Sequence, residues 1–412
     1  MRYGKWLLVA ILSLALLLFV VIQIPHVRNR LIWQAEVLRA DIKGVLDPVE
    51  SVPTPALQLT EIVTKTPILS TSSLSSPTPT AGWTATVTPS PTPLPSTVSL
   101  PEPEYERQDI NNCGPTTLSM YLRYYGWDGD QFTVSGKLRS DSKDRNINVE
   151  ELVFFTQNYV GWLNSMFRVG GTIEMLKAFL AAGIPVMTEE SFHFEDPFWY
   201  NDDLWAGHYL LITGYDDTLG TFTVQDSFYG PNRTVTYAEE NENWQSFNRV
   251  FILIYTPDQE EIVRDILGEH WDVDYNRQSA LEAAQAEVQV NDEDAFAWFN
   301  LGTNMVYFER YEEAAYAYDQ ARILGLPQRM LRYQFGPFFA YFHSGRTDEV
   351  LTLADYALSI TYNAEEAFIW KGWALYRLGD NGGAIENFQM AYEANTTSVD
   401  AQYALEYMGV ER

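Results

Sequence analysis

The sequence predicts a mixed α+β domain followed by an all-α region, with a membrane-spanning helix ahead of both. Three observations predict it. Residues 6–24 are almost unbroken apolar sequence, residues 105–256 mix helical and strand patterns, and after Pro257 helical features recur every 34–36 residues. The expected order is an anchor over 1–30, a juxtamembrane segment and linker over 31–103, the mixed domain over 104–257 and the helical region over 258–412.

Trp6 to Ile24 is interrupted only by Ser13 and Gln23. Its 19 residues, at about 1.5 Å each, span roughly 29 Å, enough for a bilayer core. Arg2 and Lys5 precede it and no small-x-small cleavage site follows, so a retained anchor is expected rather than a removed signal. Two signals conflict on orientation. Arg28, Arg30, Arg39 and Lys43 outnumber Arg2 and Lys5, which by charge counting leaves the body in the cytoplasm. Ser51 to Pro103, rich in Pro, Thr and Ser with few charges, reads instead as a stalk outside the cell. The expectation is an extracytoplasmic body on a single-pass cell-membrane anchor. Extended at about 3 Å per residue, such a stalk would reach on the order of 150 Å.

In the mixed domain, residues 148–159 and 172–182 read as helices, the second capped by Thr172 and stopped by Gly183. Residues 184–188 and the apolar run 249–255 read as strands. Gly207-His-Tyr-Leu-Leu-Ile-Thr-Gly and Thr221-Phe-Thr-Val-Gln-Asp226 flank a Gly-Tyr-Asp-Asp turn and read as a hairpin. If the turn centres on Asp217, paired positions sum to 434 and His208 lies directly opposite Asp226. Strands lie about 5 Å apart, close enough for a carboxylate to fix an imidazole tautomer.

Cys113, the only cysteine of 412 residues, stands at a helix start. Leu118, Tyr121, Leu122 and Tyr125 recur at helical spacing behind it, and Pro115 suits a first helical turn. Free backbone N–H groups and the positive end of the dipole there favour a thiolate. A nucleophilic thiolate calls for a histidine and an orienting acid. Of five histidines, His26 flanks the apolar segment and His270 and His343 fall in the helical region. His193 sits in an aromatic, acidic loop and reads as packing, which leaves His208. Gln108, five residues before Cys113, can offer an amide donor to an oxyanion. The segment from Glu189 to Asp203 directly precedes His208 and reads as a cleft wall, in which Glu189, Glu190, Glu195 and Asp196 would favour basic substrates.

Gln108-x4-Cys113-Gly-Pro, Gly-His208-Tyr with its strand and Gly-Tyr-Asp, and a following strand ending in Asp226 together resemble the bacteriocin-processing, or double-glycine leader, cysteine peptidases. The match spans about Tyr105 to Thr256 and implies a papain-like fold. It implies Cys113 as nucleophile, His208 as base, Asp226 as orienting acid and Gln108 in the oxyanion hole. It also implies peptide or protein substrates with small residues, such as Gly-Gly, before the scissile bond. Two departures stand out. No ABC transporter is present, and Ser227 follows the acid where the family pattern is Asp-Pro. An acyl-transferring or inert, peptide-binding head is the alternative reading.

After Pro257, Gly268/Ala280, Gly302/Ala314, Phe338/Val350 and Gly372/Ala384 are pairs twelve apart. With Trp298-x2-Leu301-Gly302 and Gly379-Asp380, these resemble tetratricopeptide repeats, whose solenoid would take a protein or peptide partner. Phe338 breaks the small-residue rule in the third unit, where Gly336-Pro337 can shift the helix start. Net charge −28 and pI near 4.4 exclude nucleic acid as a partner, because phosphate contacts need a basic face. No metal-ligand spacing and no Gly-rich phosphate loop occur, so no cofactor is expected.

Overall fold

The computed structural model describes residues 27–28, 31, 34–35, 49–56, 93–138 and 147–410. The expected span over Trp6–Ile24 and most of the linker lie outside the described residues. Among the described residues, no helix is long and apolar enough to cross a membrane.

A seven-stranded antiparallel sheet organises the first half. Its strands are β1 (Thr97–Ser99), β2 (Asn164–Arg168), β3 (Val186–His193), β4 (Trp205–Asp216), β5 (Thr221–Asp226), β6 (Gly230–Thr236) and β7 (Phe251–Tyr255). The order is β2-β7-β3-β4-β5-β6, with β1 paired to the far end of β4. Helices α1 (Cys113–Tyr124), α2 (Gln131–Leu138) and α3 (Val149–Phe155) share an apolar core with one face of the sheet. Helices α4 (Ile173–Ala181) and α5 (Tyr237–Gln245) share another with the opposite face.

Local chemistry sets these elements. Asn148 and Glu151 form a reciprocal capping box at α3, and Thr172 accepts from Met175 N at the start of α4. Gly183 follows α4 at φ +82°, a left-handed conformation that suits glycine. Leu118, Tyr121 and Leu122 of α1 are fully buried, as their spacing requires.

The β4–β5 hairpin differs from expectation in register. Pairs next to the turn sum to 437, as in Asp216↔Thr221, and beyond a bulge at Thr213 they sum to 436. The turn spans Asp217–Gly220 rather than centring on Asp217, so Asp226 faces Leu210 across the ladder. The bulge reverses side-chain parity. Leu210 and Ile212 before it, and Tyr215 after it, all enter the same core.

The second half is helical: α6 (Glu260–Leu267), α7 (Val273–Val290), α8 (Ala295–Tyr307), α9 (Tyr311–Leu324), α10 (Met330–Tyr333), α11 (Gly336–His343), α12 (Thr347–Ile360), α13 (Glu365–Arg377), α14 (Asn381–Ala394) and α15 (Val399–Tyr407). A Cβ at Gly302 would meet the Tyr318 ring at 2.9 Å, and one at Gly372 would meet Phe388 at 2.4 Å. The small residue at each crossing is thus required by the aromatic sixteen positions later. In the third unit the sizes exchange, since buried Phe338 is followed sixteen positions on by buried Ala354. The first expected pair is no helix crossing. Gly268 ends α6 at φ +53°, and Ala280 packs against Gly170 of the sheet domain.

One apolar cluster continues from α1 and β4 through α8, α9, α11 and α12. Trp205 of β4 stacks on Phe296 and meets Tyr333 edge-on, so the two halves share a core.

Candidate active site

Cys113 is the first residue of α1 and half-buried on the wall of a cavity of about 780 Å³. Sequence reasoning missed the side chain that shapes the loop before it. Buried Gln131 of α2 accepts from Asp109 N at 2.7 Å, Asn112 Nδ2 at 2.7 Å and Thr116 Oγ1 at 3.0 Å. Its Nε2 donates to Glu106 Oε1 and Arg107 O, both at 2.9 Å. One amide thus satisfies the turn that delivers the thiol, with Asn111 left-handed at φ +55°. Burial pushes the Cys113 thiol up, but hydrogen bonds from His208 and the Gly114 N–H, with the charges of His208 and Arg332, bring it below its ordinary value.

His208 is buried at the start of β4, with Nε2 at 3.0 Å from Asp226 Oδ1. The expected partnership therefore forms, although through a diagonal rather than a direct cross-strand pair. Under the register of the turn alone, Asp226 would face Leu211 and point away from His208. The extra residue at Thr213 restores the shared face. Burial disfavours the imidazolium, yet hydrogen bonds and charge from Asp226 and Cys113 raise His208 to about 9. Asp226 Oδ1 also accepts from Phe228 N at 2.8 Å and Tyr229 N at 3.0 Å, and Oδ2 pairs with Arg233 at 2.6 Å. Burial would raise this carboxyl, but the His208 interaction and the two amides hold it well below the usual carboxylate range.

Gln108 lines the same cavity. Ser227 Oγ donates to its Oε1 at 2.8 Å, and Gln108 N donates to Ser227 O at 2.9 Å. The carboxamide oxygen is thereby held, which leaves the Nε2 end as the donor for the cleft. Ser227, the departure from Asp-Pro, supplies a hydroxyl that proline lacks.

The cleft wall differs from expectation. Glu195 and Asp196 line the cavity with Phe192, Phe194 and Phe198, whereas Glu190 does not. Strand alternation turns Glu190 toward Glu240, and burial with that acidic neighbour raises it well above the carboxylate range. Glu189 lines the cavity, but burial raises its carboxyl well above the ordinary range as well. Burial therefore works against charge on two of the four expected acids. His193, read as surface or cleft packing rather than catalysis, ends β3 exposed and is not among the residues that line the cavity.

The helical region adds to the site, which no local sequence signal announced. Arg332 and Tyr333 of α10 line the cavity, and Arg332 donates to Asn111 Oδ1 at 3.1 Å. Arg329 pairs with Asp202 at 2.5 Å and lies 4.0 Å from the Trp199 ring centroid. Gln328 accepts from Trp199 Nε1 at 2.9 Å. The wall before His208 is therefore pinned by the array.

Residues 100–252 match the Peptidase_C39 like family. This segment is similar to the C39-like cysteine peptidases. It holds all four candidate residues and the whole sheet except β1 and the end of β7. A C39-like peptidase from Bacillus anthracis is 16% identical over 39% of this chain and 98% of its own, at a TM-score of 0.32. Xylellain, a cysteine protease from Xylella fastidiosa, is 17% identical over 40% of this chain and 87% of its own, at a TM-score of 0.31. No curated protein matches the chain.

Proposed function

We propose that this peptidase domain hydrolyses peptide bonds with Cys113 as nucleophile, His208 as acid and base, Asp226 as orienter and Gln108 as oxyanion donor. The observation that carries the reading is the opposed shift of two touching groups. Cys113 is lowered and His208 is raised to about 9, and shifts in these opposed directions favour the thiolate–imidazolium form of the pair. The thiolate attacks the scissile carbonyl, and the oxyanion accepts from Gln108 Nε2 and a backbone N–H at the start of α1. Imidazolium gives its proton to the leaving amine. Water, deprotonated by the now neutral imidazole, releases the acyl group and restores the thiolate–imidazolium pair.

The finer parts of the reading are a tetratricopeptide-like array that binds protein or peptide, and an N-terminal single-pass anchor holding both domains outside the cytoplasm. Paired helices with matched small and aromatic residues support the first, and the apolar run over Trp6–Ile24 supports the second.

The test is the pH dependence of Cys113 alkylation by iodoacetamide, with and without His208→Ala. Alkylation that titrates below pH 7 in the native chain, and near the ordinary thiol value of about 8.5 in the variant, supports the pair. A thiol titrating near 8.5 in both would overturn it and indicate a binding head.

A further inference from the structure

The short segment Glu50–Ala56 belongs by composition to the linker, yet it lies on the helical region, more than 260 residues away in sequence. Arg322 Nε donates to Pro53 O at 2.8 Å, Ala56 N donates to Glu349 Oε1 at 2.8 Å, and Tyr356 OH donates to Glu50 O at 3.2 Å. The groups making these contacts are built in. The Arg322 side chain is 0% exposed, and its Nη1 donates to Tyr341 OH at 2.9 Å and Glu349 Oε2 at 2.7 Å. Without the segment, Arg322 Nε and Glu349 Oε1 would lose partners at a buried ion pair, an arrangement that folded proteins avoid.

The segment suits the site in conformation too. Val52 and Pro55 are buried while Ser51, Thr54 and Ala56 are exposed, and a spacing of three is one face of a polyproline II helix. Val52 and Thr54 each precede a proline, so residues 52–55 are all biased to extended backbone before docking. Little conformational freedom is then lost on binding. Pro-Thr-Pro occurs three times in the linker, at 53–55, 77–79 and 91–93. The preceding residue is Val52 in the first and Ser76 or Ser90 in the others, and Val52 is the side chain that enters the apolar cluster.

We infer that the surface formed by Arg322, Tyr341, Glu349 and Tyr356 is a binding site for an extended Val-Pro-Thr-Pro segment, and that its ligand is residues 50–56 of this same chain. Val52 selects this copy over the two that begin with serine. The described residues before position 57 and those after position 92 then both belong to one folded body. The inference deepens the reading of the helices as a peptide-binding array and relies on it only for the class of ligand.

Amide hydrogen exchange on the full chain tests it, read at Ala56 and in α9 and α12, against a synthetic peptide of residues 49–57. The Ala56 amide should exchange at least ~100-fold more slowly in the chain than in the peptide. Val52→Ser should abolish most of that protection while α9 and α12 keep theirs. Exchange at Ala56 as fast as in the peptide, with the helices protected, would overturn the ligand but not the array. Equal protection in Val52→Ser would overturn the role of Val52 as selector. Loss of protection in α9 and α12 of the native chain would strike the array itself.

Discussion

Both halves of the protein pair a buried carboxylate with an arginine, and they use it differently. In the peptidase domain Asp226 takes Arg233, two backbone amides and His208, and the last of these faces a thiol in an open cavity. In the array Glu349 takes Arg322 and the Ala56 amide, and the chain itself covers the pair. Arg233 keeps a side chain 40% exposed, whereas Arg322 keeps none. Buried charge is costly in either place. Where every partner is internal the cluster acts as a fastening, and where one group is left facing a cavity it can do chemistry.

Four measurements would break or sharpen that contrast. The largest effect is expected from His208→Ala, which should lower kcat/KM by about 10³–10⁴-fold, read with a fluorogenic peptide, while the melting curve stays cooperative. Next, Glu349→Ala leaves Arg322 buried and unpaired and should destabilise the fold by about 3–5 kcal/mol in chemical denaturation. Activity per folded molecule should persist, and its loss at full foldedness would erase the contrast. Ser227→Ala frees the Gln108 amide to turn and should lower kcat by about tenfold, less than the loss of an oxyanion donor outright. KM should hold, whereas an equal fall in Gln108→Ala and the double variant would identify one shared function. The smallest is Arg332→Gln, which removes a charge near Cys113 and should raise the pH of half-maximal alkylation by a few tenths.

The pH dependence carries its own sign. The raised His208 contributes stability fully below its ordinary value near 6.5 and loses it as pH passes about 9. Asp226 is depressed, so its contribution is present above its ordinary carboxylate value and disappears only in strong acid. The kcat/KM profile should therefore rise with thiolate formation below the ordinary thiol range and fall near pH 9. An alkaline limb near 6.5 would mean that imidazole is neutral and the pair absent.

How much of this was legible in the sequence depended on how local each signal was. The α1 face, the Thr172 cap, the Gly183 stop and the Gly302 and Gly372 crossings are local and were readable. Motif and strand pattern coincided on Cys113, His208, Asp226 and Gln108; Cys113, His208 and Gln108 line one cavity, and Asp226 pairs with His208. The hairpin register was not readable, because a bulge leaves no mark that Thr213 announces. Neither were the contributions of Gln131, Arg329 and Arg332, which act across 15 to more than 220 residues of chain. The acidic wall failed for a different reason. Composition counts carboxyl groups but not the faces they turn to, and Glu189 and Glu190 lie in a strand where burial raises their carboxyls well above the ordinary range.

The bulge in β4 works like a reading-frame correction in three dimensions. The turn sets the two strands one residue out of phase for catalysis, and the added residue at Thr213 restores phase before His208 is reached. Gly214 next to it has no room for a side chain, since a Cβ there would lie 2.6 Å from the Val98 carbonyl oxygen of β1. A substitution at Thr213 changes one side chain. A deletion there would move Asp226 to the other face of the sheet, and every residue named in the mechanism would still be present.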